Sequence, residues 1–498
     1  MGVIQRQSIK FNIVSLLGVA IGGLSILFIY TLEDTLYGYA SWLFAASYLL
    51  VPIISLGIAS LVVKYYPMFK TNGGKGFFRY IIQRYLIVSL ITCSLLVATA
   101  PFLFRLAEGY GVDVTAIEDN QYLLILIAFV MGFTQILVKF SSTQKRIVIP
   151  QLLENLGYKF YLPIAFLTVY FYQLDFQLMP YLILGFFVLL VLFLLIYNWR
   201  ISAINLSPVV LPDTDDYQAK EIARFSLYGS LNHIGNIMAL RLDTAMIPLF
   251  LTMADNGIYT KILVIVNIMY MQYLSIGNIA GPLISEYWHD HNITEINSIY
   301  KKSSNNLFFV GTLFFLLLHF GLPHVVELSG RPESFKGYYW IFLILGLGKL
   351  SDLVTSVNSY ILIYSKWYRI NLYLILVLAI SNIFLNFYLI PKHGLMGAAI
   401  ATSTSLLLYN LCKTGFIYLK VGIHPFSRTM MKTVVLGGLL FFVFTLITIP
   451  YHPIVNLALL AAGVGSIYFT IGYVWEIAPE SNRALKGAID KGLGLINL

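Results

Sequence analysis

Nine ionisable side chains fall inside apolar stretches, where lipid would make them costly. They are Arg84, Lys159, Arg241, Lys261, Lys349 and Lys413 on the basic side, and Glu154, Asp243 and Asp352 on the acidic side. A charge in hydrocarbon calls for a cavity, a partner or an escape to the interface, so each is a candidate for handling polar cargo. Six bases against three acids suit an anion better than a cation. The surplus narrows to parity when only Lys159, Arg241 and Lys349 are kept on the basic side.

Helical spacing, ~100° per residue, sorts these groups. Gly348, Lys349, Asp352, Ser356 and Ser359 share one narrow face, the cleanest polar stripe in the chain. Either Lys349 and Asp352 neutralise each other one turn apart, or the face lines a cavity; the second reading is preferred. Asn232, Asn236 and Asp243 share another face and are also cavity candidates. Arg241 points roughly 160° away from that face. Two readings stand for it: cavity lining, or a pair across a helix interface. Lys261 aligns with Gln272 close to Ser275, near a span end, where snorkelling serves it as well as a cavity does. Lys159 lies about 140° from Glu154, too far round one helix for a direct pair. Arg84 and Lys413, near inner ends, read as snorkelling side chains.

The elements that must position these groups follow from composition. Of 498 residues, 58% are hydrophobic and only 11% are charged, with a mean hydropathy of +0.79. Soluble domains carry about a quarter charged residues, so this composition implies a membrane protein. A helical span takes roughly 20 apolar residues. Such segments fall at about 11–30, 38–63, 80–104, 121–140, 150–172, 178–198, 223–250, 257–284, 304–323, 338–363, 371–390, 395–418, 433–450 and 454–475. The expected fold is an all-α integral membrane protein of about fourteen spans. The basic residues outside the spans lie on one side, apart from Arg105, Arg331, Lys336 and Lys392, which places both termini in the cytoplasm.

The net charge of +9 is therefore a topology signal rather than a nucleic-acid footprint. Cys93 and Cys412 are too far apart in sequence to suggest a disulfide framework or a metal site. "EYWHDH", with Glu286, His289 and His291, reads as a wet loop rather than a chelate. His319 and His324 read as interfacial. No phosphate loop, nucleophile elbow or catalytic carboxylate pair emerges, so neither enzymatic activity nor a cofactor is expected.

The chain divides at its longest hydrophilic connection, 199–222, with Asp213, Asp215 and Asp216. This gives a six-span lobe over 1–198, a linker, a second six-span lobe over 223–432, two added spans over 433–475 and a tail over 476–498. The lobes look like weak repeats. Tyr39 precedes Gly57, and Tyr259 precedes Gly277, by the same 18 positions. Lobes of even span number share an orientation, so their symmetry axis would follow the membrane normal.

Three stretches then carry a resemblance. "SNIFLNFYLIPKHGLMGAAIATSTSLLLYN" (381–410) ends an apolar span at Pro391, turns at His393-Gly394, and opens a helix with Gly397, Ala398, Ala399 and Ala401. Those small residues admit a close neighbour. With "LDTAMIPLFLTMADNGIY" (242–259) and the segment from Gly2 to Tyr30, it resembles the multidrug/oligosaccharidyl-lipid/polysaccharide (MOP) exporter superfamily, in particular its polysaccharide flippase branch. Asp243 falls at that branch's acidic position; Arg241 matches no motif.

The resemblance implies two MATE-like lobes around a hydrophilic cavity that opens alternately to each side. It implies a polyprenyl-pyrophosphate-linked oligosaccharide as cargo, moved outward across a bacterial plasma membrane for O-antigen, capsule or exopolysaccharide synthesis. A polymerase and glycosyltransferases would be its partners. A cation-coupled multidrug antiporter of the same fold is the alternative. A membrane glycan polymerase or ligase would need a larger outer loop than the longest here, about 105–120.

Overall fold

The computed structural model describes residues 17–71, 75–144, 146, 148–201, 204, 207–210, 219–335, 337–447 and 450–477. The side chains of a few helical residues, Asn232, Asn236 and Ser275 among them, are not described. Arg6, Lys10, most of the 199–222 linker and nearly all of the 476–498 tail lie outside the described residues. Among the described residues the chain is helical throughout, with one isolated antiparallel backbone pair, Lys75 to Val210.

Among the described residues, ten helices are long and apolar enough to cross a membrane. The other four expected segments are also helical, but they are short, interrupted or polar. They are α1 (Leu17–Ile29) and the segments expected at 150–172, 223–250 and 257–284.

The described contacts form two compact units, Met1–Thr260 and Lys261–Leu498. In the first, α2 (Asp34–Ser55) is opened by Glu33, whose carboxylate accepts from Thr35 N at 3.3 Å. It is separated from α3 (Ile58–Thr71) by Leu56 and Gly57, both at positive φ (41° and 74°). The helix α4 (Phe77–Gly109) leaves Leu86, Ile87, Leu90, Ile91 and Leu95 exposed, an apolar face suited to lipid. A buried polar joint fastens α5 (Thr115–Thr143) to α8 (Met179–Arg200). Ser141 Oγ donates to Asn198 Oδ1 at 3.0 Å, and Asn198 Nδ2 donates to Leu137 O at 3.1 Å. Polar glue of this kind suits helices in lipid, where apolar surface gives no preference for a protein neighbour.

Between α6 (Val148–Leu152) and α7 (Tyr158–Phe171) the chain widens into a π turn over Leu153–Gly157 that carries Glu154. Wide turns of this kind often mark functional sites. The helix α9 (Ala219–Met246) packs along α2, and α10 (Met253–Asn267) begins against α2 at Gly38. Because α9 rests on α2, the compact unit ends inside α10 rather than at the 199–222 linker.

In the second unit, a 3-10 turn at Ile268–Tyr270 separates α10 from α11 (Met271–His289). Then come α12 (Ile293–Leu328), α13 (Tyr338–Thr355) and the short α14 (Asn358–Ile363). The break between α13 and α14 falls at Ser356, φ 45°. The hairpin of α15 (Tyr368–His393) and α16 (Leu395–Val421) turns at Gly394, φ 57°. A Cβ on Gly397 would run into the backbone of Leu389, so only glycine permits that approach. Asn382 Nδ2 donates to Thr402 Oγ1 at 2.9 Å across the same hairpin. Finally α17 (Arg428–Thr445) and α18 (Pro453–Val474) pack on α12, and Tyr468 OH donates to Phe309 O at 2.7 Å.

Candidate functional site

The middle of α2 and the last quarter of α9 in the first unit carry the sharpest electrostatic feature. Arg241 sits with Cζ 5.0 Å from the centre of the Phe44 ring. It lies close enough to Tyr37, Tyr48 and Tyr158 to feel their hydroxyl groups, and Lys159 is within reach of its field. Arg241, Tyr48, Tyr158 and Glu154 are half-buried rather than sealed, which marks the place as a candidate hollow. The walls are aromatic: Phe44 stacks on Tyr158 (centroids 4.6 Å) and on Tyr48 (5.6 Å), and His233 meets Tyr48 edge-on at 6.5 Å. Gln135 and Lys139 border it from α5.

Two groups in this hollow are unsatisfied. Among the described residues no carboxylate comes within ion-pair distance of Arg241, and Tyr158 OH has no hydrogen-bond partner. A cation over an aromatic face gains ~0.5–2 kcal/mol, whereas a buried charge without a counter-charge costs several kcal/mol. Arg241 and the Tyr158 hydroxyl are thus donors without an ion-pair or hydrogen-bond partner among the described residues, with Glu154 bordering them beside Lys139.

The second unit has a different cluster, on α13, α14 and α16. Asn410 Nδ2 donates to Asp352 Oδ1 at 2.8 Å, and Thr355 Oγ1 donates to Asn410 Oδ1 at 3.2 Å. Lys413 Nζ donates to Tyr409 OH at 2.8 Å and to Ser359 Oγ. Lys349 Nζ sits 4.9 Å from the Tyr270 ring centre, and Tyr273 lies within the field of Asp352. Here the carboxylate is held by an amide and a lysine is held by hydroxyls.

The remaining sequence candidates scatter. Asp243, 6% exposed, accepts from Tyr259 OH at 2.6 Å and is enclosed, on a different side of α9 from Arg241. The side chains of Asn232 and Asn236 lie outside the described residues. Lys159 is exposed, with its amine towards Gly18 of α1. Ser356 is buried at the α13–α14 break.

Two snorkelling readings are corrected. Lys261 is 0% exposed, with Nζ 4.9 Å from the Phe335 ring centre, and Lys413 is 1% exposed inside the polar cluster. Both sit near span ends by count, but broken helices fold over them. His319 is likewise buried, among Phe315, Phe320, Tyr339, Phe342 and Phe441. Sequence reasoning passed over Tyr37, Tyr48, Tyr158, Tyr409 and Asn410. Their signal was spacing: Phe44 and Tyr48 are one turn apart, as are Tyr409 and Lys413. Among the described residues no group of acids, histidines and cysteines is arranged to hold a metal ion.

The second unit also holds an apolar cavity of about 520 Å³ between α12, α13 and α17, lined by Phe308, Phe315, Leu316, Leu350, Val434 and Phe441 among others.

No family model matches this sequence. Its fold does have counterparts. A lipid II flippase MurJ in an inward closed conformation superposes with a TM-score of 0.63 at 15% identity, over 94% of this chain and 100% of that one. An inward-facing multidrug resistance MATE family transporter of the MOP superfamily gives 0.58 at 14% identity, over 83% and 99%. The chain shares the fold of these two transporters. In sequence it is 22% identical over 248 residues to the probable low-salt glycan biosynthesis flippase Agl15 of Haloferax volcanii. That match takes in 49% of this chain and spans about half the length of the relative (52%). The proteins that this chain resembles are thus flippases and transporters.

Proposed function

We propose that this protein is a flippase for lipid-linked oligosaccharide, carrying a polyprenyl-pyrophosphate-linked glycan from the cytoplasmic to the outer face of the plasma membrane by alternating access. The observation that carries this reading is Arg241: a deep guanidinium with no described carboxylate within ion-pair distance, near a Tyr158 hydroxyl that has no hydrogen-bond partner. A diphosphate supplies the missing negative charge, and guanidinium binds phosphate oxygens in a bidentate fork. Phe44, Tyr48 and Tyr158 offer flat apolar faces with polar edges, suited to sugar rings. The prenyl chain stays in lipid.

In this reading the hollow lowers the barrier for a polar head that pays several kcal/mol per unsatisfied group in hydrocarbon. Outward movement of each negative charge gains ~2.3 kcal/mol per 100 mV in a cell that is negative inside. Two six-span lobes, 1–198 and 223–432, would alternate around the site, with both termini cytoplasmic. Glycosyltransferases would supply the cargo and a polymerase would consume it, as in O-antigen, capsule or exopolysaccharide synthesis. The Agl15 and MurJ likenesses support this class.

The test is turnover of a fluorescent polyprenyl-pyrophosphate sugar in proteoliposomes. Turnover is expected with the wild-type protein and should fall at least tenfold with Arg241→Gln. Turnover that ignores Arg241 overturns the reading. A second reading, cation-coupled drug export, is favoured by Asp352 and by the MATE likeness. It predicts that a cationic dye, and not the lipid-linked sugar, is moved.

A further inference from the structure

The helix α2 is gripped at both ends, and the Arg241 hollow lies between the grips. At its start, a Cβ on Gly38 would collide with the backbone of Met253, and one on Gly257 with that of Asp34, so two glycines let the helices touch. Asn256, fully buried, donates from Nδ2 to Gly38 O at 2.8 Å. At its far end, Ser230 Oγ donates to Pro52 O at 2.6 Å and Ser226 Oγ donates to Leu56 O at 2.6 Å. Gly57 is pressed against the backbone of Ser226 and Ser230, where no Cβ fits. At the helical rise of ~1.5 Å per residue, the two grips stand about 28 Å apart, close to the thickness of a hydrocarbon core. Phe44 and Tyr48 lie between them.

The two grips differ in chemistry. The Gly38 end is a backbone-to-backbone contact fastened by the fully buried Asn256 amide. The Gly57 end is a pair of serine hydroxyls, four residues apart on one face of α9, reaching carbonyls at the end of a broken helix. The last four carbonyls of any helix lack a partner of their own, so α2 offers acceptors there without giving up helical bonds. A helical serine can turn the same hydroxyl back to the carbonyl four residues earlier. Releasing this grip therefore exchanges one acceptor for another, and water at the opened end can satisfy the carbonyls left behind. Consecutive left-handed residues at Leu56 and Gly57 supply a ready hinge.

We propose that Ser226 and Ser230 form a releasable clasp on the Pro52–Gly57 break of α2, which closes the Gly57 end of the Arg241 hollow and opens it when the hydroxyls turn back to α9. The proposal concerns access to the hollow and rests on the transport reading only for what passes through it.

Membrane vesicles test it. With Cys93 and Cys412 replaced by serine, Tyr48→Cys reports access to the hollow by its labelling rate with a membrane-impermeant thiol reagent. Ser226→Ala/Ser230→Ala should speed labelling from the Gly57 side at least fivefold. Ser226→Thr/Ser230→Thr, which keeps both hydroxyls, should restore the slow rate. Equal rates in all three overturn the clasp.

A Cβ on Gly229 would lie 3.3 Å from Ser60 Cβ, near disulfide range of ~3.5–4.5 Å. Oxidised Ser60→Cys/Gly229→Cys should therefore cross-link, stop turnover of the fluorescent lipid-linked sugar, and recover on reduction. Full turnover in the cross-linked protein, or no cross-link at all, also overturns the clasp. Accelerated labelling in a protein that moves no lipid-linked sugar leaves the clasp standing and removes the flippase reading instead.

Discussion

The two units place tyrosines around opposite charges and treat them differently. Around Arg241, the rings of Phe44, Tyr48 and Tyr158 build a wall, but no described acid neutralises the cation and Tyr158 OH bonds to nothing. Around Asp352, the neighbours are occupied: Asn410 donates to the carboxylate, Thr355 to Asn410, and Lys413 to Tyr409 and Ser359. The first arrangement spends stability to keep donors ready. The second satisfies its charges within the chain. Buried polar groups that are satisfied contribute to one fixed structure, and those left wanting are the ones a ligand can reward. Binding energy for an anionic cargo is thus expected to come from the first unit, and rigidity from the second.

The largest effect should come from reversing the charge at the centre of the contrast. Arg241→Glu is expected to lower turnover of a lipid-linked sugar by more than 20-fold, while the protein still inserts and elutes as one species in detergent. Arg241→Lys keeps the charge and loses the fork, so a loss of about three- to tenfold is expected in the same assay. If Asp352→Asn costs as much as Arg241→Glu, the two units share the cargo and the contrast is wrong.

Next in size is Lys349. It is 7% exposed and lies over the Tyr270 ring, beside a network that Asp352 and Asn410 already complete. Lys349→Ala should cut turnover by more than half with insertion unchanged. An unaltered rate assigns Lys349 to packing alone.

Stability separates the units more directly. Asn410→Ala strips Asp352 of that donor and leaves Thr355 only the carbonyls of its own helix, which should cost about 1–3 kcal/mol. The measure is a lower thermal midpoint in detergent with little change in cargo affinity. If affinity falls and the midpoint holds, Asn410 belongs to a binding surface after all.

What the sequence made legible follows the same division. Apolar segment length foretold a helical membrane protein, because backbone groups in lipid must be satisfied within the span. The small residues from Gly397 to Ala401 foretold the tight α15–α16 hairpin that Gly397 permits. Helical spacing separated Arg241 from Asp243, and the structure puts them in different surroundings. Spacing on a straight wheel failed wherever the helix is not straight. The break at Ser356 lets α14 and α16 enclose Lys413, which a count of residues from the span end had placed at the interface. The π turn at Leu153–Gly157 rotates Glu154 relative to Tyr158. Tyrosines were overlooked because 35 of them in an apolar chain read as interfacial belts; only the fold shows which ones surround a charge.

The smallest effect tests the comparison most closely, because the same atom is removed from each unit. Tyr409→Phe takes an acceptor from Lys413, a buried lysine, and should lower stability by about 1–2 kcal/mol. Tyr158→Phe removes a hydroxyl that is buried without a partner, so folding loses no hydrogen bond and sheds a desolvation penalty. The thermal midpoint should hold or rise slightly. Turnover should still fall about two- to threefold, since the hydroxyl that does nothing for the resting fold is available to a phosphate oxygen. Opposite signs for the two phenylalanines, in stability measured side by side, are what separates a ligand-directed hydroxyl from a structural one. A Tyr158→Phe protein that melts earlier would mean the hydroxyl is already spent inside the protein, and the hollow would lose its second donor.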